Sequence, residues 1–313
     1  MLDGFGPTLL VSCLPHRLLV QRRSRFGRDL GEPIVRQLDN ASGLFGQLAS
    51  QLRSALTEFD CAGAVVSITI ADTWCRLFVT TPPSNMVSRA DCDAAVALRF
   101  QTLYGDSAAD WALRSDWQLS KPFITAAMPQ ALYRDVLAIC RTFRLRVVSL
   151  VPESIAGCNR WHRTVMAGDW FAQVNDTGLT LMAFDGTQIR HVMQQPLDGA
   201  ARDDSNWLTH FVQRQALLFG MTTPKRIVCA GAVAPAWLNR TFGIGHGRGI
   251  NADTDTDTDT DTDTDTEAEK IVHRPQCFFV TAKPCPASTA KKPAVRANAR
   301  KWFSPAESSE HIG

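Results

Sequence analysis

Trp170-Phe171-Ala172-Gln173-Val174-Asn175-Asp176-Thr177-Gly178-Leu179-Thr180 lies just past the middle of the 313-residue chain and divides it. Two β-rich runs flank a polar turn, Asn175-Asp176-Thr177-Gly178, whose residues favour tight backbone. The second run continues to Phe184, and Asp185-Gly186 is a two-residue hairpin signal leading into a further strand at Gln188–Gln194. A helical stretch follows at Asn206–Leu218, ended by Phe219-Gly220, and then an apolar strand at Arg226–Ala230, closed by Gly231.

The same alternation precedes the turn. Strands are expected at Thr8–Ser12 and Leu18–Arg23, joined at Leu14-Pro15-His16. Leu44–Phe59 has apolar residues at helical spacing. Ala64–Ile70 and Trp74–Thr80 are β-rich runs split by Ala71-Asp72-Thr73, which reads as a hairpin. Ser88–Tyr104 reads as a helix with Ser88 as N-cap, Asp91 three residues on and Gly105 as the stop. Short strands at Trp111–Leu113 and Phe123–Ala127, a helix at Gln130–Phe143 and a strand at Leu145–Val151 complete this part. Hairpins and helices within one half imply mixed sheets, so the chain is expected to be α/β with two halves, 1–152 and 153–250.

Charge marks where the halves stop. The formal net charge is +2, from 33 Lys+Arg and 31 Asp+Glu, but it is a cancellation. Residues 1–252 carry +5, residues 253–269 carry −9 and residues 270–313 carry +6. The acidic piece is seven Asp-Thr dipeptides, Asp253 to Thr266, followed by Glu267 and Glu269. A calcium loop needs Gly at its sixth position and Glu at its twelfth, and no register of this repeat supplies both. The expectation is a disordered acidic tract over 251–269. A short strand at Lys270–His273 and a disordered basic tail are expected over 270–313. Such a tail raises a nucleic-acid alternative, which predicts retention on DNA that falls steeply with salt and vanishes when 275–313 is deleted. The mild +5 of the body does not itself call for a polyanion.

Nine scattered cysteines without a Cys-x-x-Cys pair read as reduced, buried thiols and not as a disulfide or zinc framework. No transmembrane segment is expected, because no apolar run reaches the roughly 18–20 residues of a membrane span. Neither a P-loop nor a dinucleotide fingerprint is present, and Gly243–Gly249 reads as a linker. The seven histidines show no paired spacing, Ser12, Ser67 and Ser149 lack a nucleophile elbow, and Cys13 near His16 reads as a packed thiol. Trp111 and Trp117 read as core anchors. Two places remain where phosphate or a base could be held. One is the Asp176-Thr177-Gly178 turn, whose N–H groups could face phosphate while a nearby Asp organises magnesium through water. The other is the small-residue strand end at Cys229-Ala230-Gly231-Ala232. An ordinary turn and an ordinary strand stop are the competing readings.

Two α/β halves, a D-x-G turn opening the second and a strand ending in Gly231-Ala232 together resemble the actin-like ATPase superfamily. Within it the chain is similar to the pilus-assembly PilM type and to the cytoplasmic domain of type II secretion L components. The similarity is carried by Val65–Arg76, Phe100-Gln101-Thr102-Leu103-Tyr104-Gly105, Trp111, Val148-Ser149-Leu150-Val151-Pro152 and Asn159, and covers about 8–240. It implies an actin-like (ribonuclease H-like) two-subdomain fold with mixed sheets. Asp176, Gly178 and Thr180 match the second phosphate loop, and Gly231 and Ala232 the adenosine loop. The first loop should read D-x-G-[ST], but Ser12-Cys13-Leu14-Pro15-His16-Arg17 has neither the Asp nor the Gly. The resemblance therefore implies a non-enzymatic cytoplasmic scaffold of a type IV pilus or type II-like secretion apparatus. Such a scaffold docks to the cytoplasmic tail of an inner-membrane partner, with no nucleic-acid partner, no catalytic residue and no metal ligand. The alternative is an ATP- and magnesium-binding enzyme such as a small-molecule kinase.

Overall fold

A computed structural model describes residues 8–24, 28–38, 44–59, 61–83, 88–116, 121–238 and 277–281. The Asp-Thr tract, the expected strand at Lys270–His273, most of the basic tail and Trp117 lie outside them.

The chain opens with a meander of β1 (Thr8–Leu14), β2 (Arg17–Arg23) and β3 (Ile34–Gln37), all antiparallel neighbours. Helix α1 (Leu44–Thr57) then leads to β4 (Val65–Ile70), which pairs parallel to β1. Alternation decides which face is buried: Leu9, Val11, Cys13, Leu18, Val20, Val66, Ile68 and Ile70 form one core with Leu48, Leu52 and Leu56 of α1.

The chain next leaves this sheet. Asp72–Trp74 is a 3-10 turn, and β5 (Arg76–Thr80) belongs to a separate antiparallel sheet with β6 (Trp111–Ser115) and β7 (Phe123–Pro129), in the order β5-β7-β6. The hairpin expected at Ala71-Asp72-Thr73 is therefore corrected to a crossing between sheets. Helix α2 (Arg89–Tyr104) covers one face of the small sheet through Cys92, Val96 and Phe100. Its ends are those the spacing predicts: Ser88 and Asp91 form a reciprocal capping box, and Gly105 stops the helix at φ 74°. Helix α3 (Gln130–Thr142) returns the chain to the first sheet, where β8 (Arg146–Pro152) pairs parallel to β4. The first sheet thus runs β3-β2-β1-β4-β8.

Helix α4 (Glu153–Trp161) joins the halves. The second sheet repeats the first: β9 (Asp169–Val174), β10 (Gly178–Asp185) and β11 (Gln188–Pro196) form an antiparallel meander. After α5 (Gly199–Asp203) and α6 (Trp207–Phe219), β12 (Arg226–Gly231) pairs parallel to β9. The strand β13 (Cys277–Thr281) closes the order β11-β10-β9-β12-β13, antiparallel to β12. Third, second, first, fourth, fifth is the order in both halves, and only the direction of the fifth strand differs. This doubled mixed sheet is the actin-like two-subdomain fold.

The second sheet is covered on both faces, which explains the near-continuous apolar runs of β9, β10 and β12. One face (Trp170, Leu181, Ile227, Cys229) packs on α5, α6 and Trp237. The other (Phe171, Met182, Val228) packs on Leu77 and Ile124 of the small sheet and on Val151, Ile155 and Cys158. That second core lies between the halves and fuses them. The described cysteines outside β13 form no disulfide and are buried, as their apolar settings predict.

Candidate functional site

A polar seam runs along the edge of the inter-half core, built from the ends of β4, β8, β9 and β12. The crossing at the end of β4 places Asp72 in the seam with only 2% of its surface exposed. Its Oδ1 accepts from the Ser154 N–H and the Ser154 Oγ–H, each at 3.0 Å. Its Oδ2 accepts from the Thr180 Oγ1–H at 2.7 Å. One carboxylate therefore ties the first sheet to α4 and to β10. Burial raises the Asp72 carboxyl above its ordinary range, and its hydrogen bonds from Ser154 and Thr180 work in the opposite direction.

Glu153 opens α4 one residue away. Its Oε1 accepts from Gln173 Nε2 at 3.1 Å and its Oε2 from Asn175 Nδ2 at 3.2 Å. Burial pushes its carboxyl up to about 7; the nearby Asp72 and Asp176 charges push the same way, and the two amides pull back. Gln194 on β11 completes the seam. Its Nε2 donates to the carbonyls of Asp72 at 2.7 Å and Cys75 at 3.2 Å, while its Oε1 accepts from the Leu77 N–H at 3.3 Å.

The Asn175–Gly178 turn sits beside this pair. The Asn175 Oδ1 accepts from the Thr177 N–H at 3.0 Å, the Thr177 Oγ1–H at 3.0 Å and the Gly178 N–H at 2.8 Å. The Asn175 N–H donates to the Gly178 carbonyl at 2.9 Å, so the turn closes on its own side chain. Asp176 is exposed at the tip. Gly178 is buried, where a Cβ would stand 3.0 Å from the Gln195 carbonyl oxygen. Thr180 lies two residues into β10 with its hydroxyl on Asp72.

Gly231 and Ala232 are brought to the same place. The Ala232 N–H donates to the Val174 carbonyl at 2.9 Å, seating the end of β12 against the turn. Gly231 has φ +92°, and a Cβ there would fall 2.1 Å from the Val174 oxygen and 2.6 Å from Gln173 Nε2. Only glycine fits on both counts. Arg202 on α5 bridges the two segments, donating to the carbonyls of Ala232 and Asn175. A groove of about 470 Å³ opens outside them, lined by Arg202, Asp203 and 232–236. All five sequence-derived positions thus gather at the carboxyl ends of β9 and β12 or on the β10 strand facing Asp72, where open α/β sheets hold their ligands.

The first turn is different in kind. Leu14 pairs with Arg17 around a tight Pro15-His16 hairpin, and the Ala71 N–H donates to the Cys13 carbonyl at 2.7 Å. The carboxylate at this end of the first sheet therefore comes from the 72–74 turn after β4, as Asp72, and not from the first hairpin. Among the described residues no group of three or more His, Cys, Asp or Glu is arranged to hold a metal ion.

Sequence reasoning found Thr180 and missed its partners. Asp72 was hidden in an apparent hairpin turn, and Glu153 and Ser154 at the start of an unforeseen helix. The available signals were Pro152-Glu153 directly after a strand, which is helix-start chemistry, and Gln173 interrupting an apolar run.

No family model matches the sequence, and no curated protein matches it. Solved structures similar to it include a Bacteroides thetaiotaomicron protein with an actin-like ATPase fold and unknown function. That match has 11% identity, covers 71% of this chain and 81% of that one, and has a TM-score of 0.49. The cytoplasmic domain of EpsL, an inner membrane component of the type II secretion system of Vibrio cholerae, is similar at 10% identity over 66% of this chain and 75% of that one, TM-score 0.42. A PilM-PilN type IV pilus biogenesis complex is similar at 15% identity over 66% of this chain and 65% of that one, TM-score 0.48. The fold assignment rests on the strand order repeated in the two halves.

Proposed function

We propose that the chain is a non-enzymatic cytoplasmic scaffold of a type IV pilus or type II-like secretion apparatus, peripheral to the inner membrane, that docks to the cytoplasmic tail of an inner-membrane partner. The observation that carries this reading is the spent state of the phosphate-facing groups. The Thr177 and Gly178 N–H groups bond to Asn175, and the Thr180 hydroxyl bonds to Asp72. The first turn offers neither Asp nor Gly. No helix among the described residues is long and apolar enough to cross a membrane.

The docking place in this reading is the small sheet. Strand β5 lies at its edge, and a groove of about 630 Å³ separates it from α2, with Val79, Thr80 and Pro83 on one wall and Ala94, Ala95 and Leu98 on the other. Leu98 is 67% exposed. The Thr80 hydroxyl is buried without a hydrogen-bond partner among the described residues. A tail lying in this groove would cover Leu98 and the apolar side chains of both walls.

The test is a binding measurement on the full chain with synthetic cytoplasmic tails of inner-membrane pilus and secretion proteins, beside magnesium-ATP titration. The proposal expects a tail to bind, and to bind at least tenfold more weakly to the Leu98→Glu variant. Magnesium-dependent ATP binding that is lost in Asp176→Ala would overturn it. The second reading, an ATP-binding enzyme such as a small-molecule kinase, draws on the convergence of Asp176, Gly178, Thr180, Gly231 and Ala232 beside the groove at Arg202.

A further inference from the structure

The charge of residues 1–252 is mild in total but unevenly placed. The end of the molecule away from the candidate site is where β1, β4 and β8 begin and β2 finishes. The register sets Arg23, Thr8, Val65 and Arg146 side by side in one row there. Arg144 adjoins the row, its carbonyl accepting the Gly63 N–H at 3.1 Å, and Arg28 closes the loop after β2, its carbonyl accepting the Ser24 N–H at 2.7 Å. Helix α4 runs to the same end, where the charge of Arg23 reaches Arg160. Arg28, Arg144, Arg146, Arg160 and Arg163 are exposed, as is Lys225 just before β12. No ion pair among the described residues involves any of these six, whereas Asp29, Glu58 and Asp169 are bonded to Arg23, Arg36 and Arg226.

An apolar side chain stands among these cations. The loop that joins α4 to β9 ends in a pinned turn: the Met166 N–H donates to Asp169 Oδ2 at 2.8 Å, and the Asp169 N–H donates to the Met166 carbonyl at 3.0 Å. Arg226 holds the same loop, donating to Asp169 Oδ2 at 3.1 Å and to the Thr164 carbonyl at 2.7 Å. The Lys225 N–H donates to the Gly168 carbonyl at 3.0 Å. So held, Met166 is 63% exposed, three residues from Arg163. A fixed apolar tip among arginines suits a surface that is anionic outside and apolar just beneath, which is an anionic lipid bilayer. A nucleic acid offers the charge without the apolar layer.

We propose that this end of the molecule is a membrane-facing surface that rests on anionic lipid headgroups, with the exposed arginines on lipid phosphates and Met166 entering the headgroup layer. It rests on the scaffold reading only in taking the inner membrane as the surface, and it names the face that this reading leaves open. The carboxyl ends of β9 and β12, with the Asp72 seam, then point away from the bilayer. A basic side chain near an anionic leaflet contributes about fivefold in affinity, so three contribute about a hundredfold. The attraction falls as salt screens exposed charge.

Vesicle sedimentation of the full chain tests this, with phosphatidylcholine vesicles that contain about one third phosphatidylglycerol or none. The chain should bind the anionic vesicles and not the neutral ones. Arg146→Ser, Arg160→Ser and Arg163→Ser combined should weaken binding about a hundredfold. The basic tail is present in every variant, so its own attraction cancels. Met166→Ser changes an exposed side chain and keeps the backbone bonds of its turn, so it serves even where the combined variant fails to fold. It should weaken vesicle binding at least about threefold and leave retention on heparin unchanged. A combined variant that folds and binds within about threefold of wild type overturns the proposal, as does Met166→Ser with unaltered vesicle binding. Tighter binding to duplex DNA than to the anionic vesicles assigns the surface to nucleic acid and overturns it too. A chain that binds partner tails but no vesicles refutes this surface and leaves the scaffold reading standing; vesicle binding with no tail bound does the reverse.

Discussion

Thr180→Val separates two roles for one hydroxyl. Thr180 acts through its 2.7 Å bond to Asp72, and both groups are buried, at 3% and 2% exposure. Valine keeps the shape and removes the donor, so the cost is that of one hydrogen bond to a buried carboxylate, about 1.5–3 kcal/mol. Asp72 retains both Ser154 donors, which places the expectation near the middle, about 2 kcal/mol, or a melting temperature lower by about 4–8 °C for a body of this size. The bond favours the charged form of Asp72, so its loss should matter most where Asp72 is ionised. The difference from wild type should shrink as pH falls and Asp72 takes up a proton. Urea titration followed by tryptophan fluorescence at pH 7.5 and pH 5, without nucleotide, measures this. In an Asp72→Asn background the same substitution should cost less than half as much, the coupling expected of groups in contact. A Thr180→Val protein within about 0.5 kcal/mol of wild type at pH 7.5 would refute the bridging role, since exposed or uncoupled sites fall in that range.

Gly231→Ala adds a strained positive φ to a Cβ 2.1 Å from the Val174 oxygen, and should destabilise by more than about 3 kcal/mol in the same titration. Gly157→Ala meets the movable end of Gln173 and should cost less, about 1–2 kcal/mol, as its carboxamide swings off Glu153. In that variant the Glu153 carboxyl, followed by NMR titration of a labelled sample, should rise further, because an amide that favours its charged form has gone. Trp237→Phe leaves the Ala201 carbonyl without the 3.1 Å indole donor and should cost about 1–3 kcal/mol in thermal melts.

Local signals carried the framework because the elements concerned are long or sharply punctuated. The capping box at Ser88, the Gly105 stop and the hairpin after Phe184 are written in a few adjacent residues, and the structure has all three, with the two-residue turn one position later at Gly186-Thr187. What was lost depends on partners far along the chain. Ala71-Asp72-Thr73 between two β-rich runs looks the same whether the runs pair or part, and the choice is made by β8 and β7, which supply the neighbours of β4 and β5. Strand β3 has four residues and α4 nine, too short for periodicity to stand out. Strand β13, five residues long, is fixed by its antiparallel pairing with β12. The candidate site follows the same division. The Gly178 turn and the Gly231 strand end were legible as tight backbone, whereas the Asp72–Thr180 bond joins residues 108 apart.

The seam also bears on which ligands suit this end of the molecule. A phosphate-binding cleft in such a fold needs donors facing inward from both halves, so that backbone N–H groups offset the phosphate charge. Here the first half presents Asp72 at that end and a Pro15-His16 hairpin, and the second presents a turn folded onto Asn175 with Asp176 at its tip. A triphosphate entering between them would bring negative charge towards Asp72, Glu153 and Asp176. Each such pairing costs about 3–4 kcal/mol at 4–5 Å with an effective dielectric near 20. A bound divalent cation would have to outweigh those terms while the Asn175 and Thr180 bonds were broken to free their donors. Of the groups that would have to open for a nucleotide, the Thr180 hydroxyl holds the halves together, and the Thr177 and Gly178 N–H groups hold the turn closed. That is the physical reason the scaffold reading is preferred: the Thr180 hydroxyl is spent on fixing one half against the other and the turn amides on Asn175, while the exposed Leu98 of α2 borders the groove beside the small sheet.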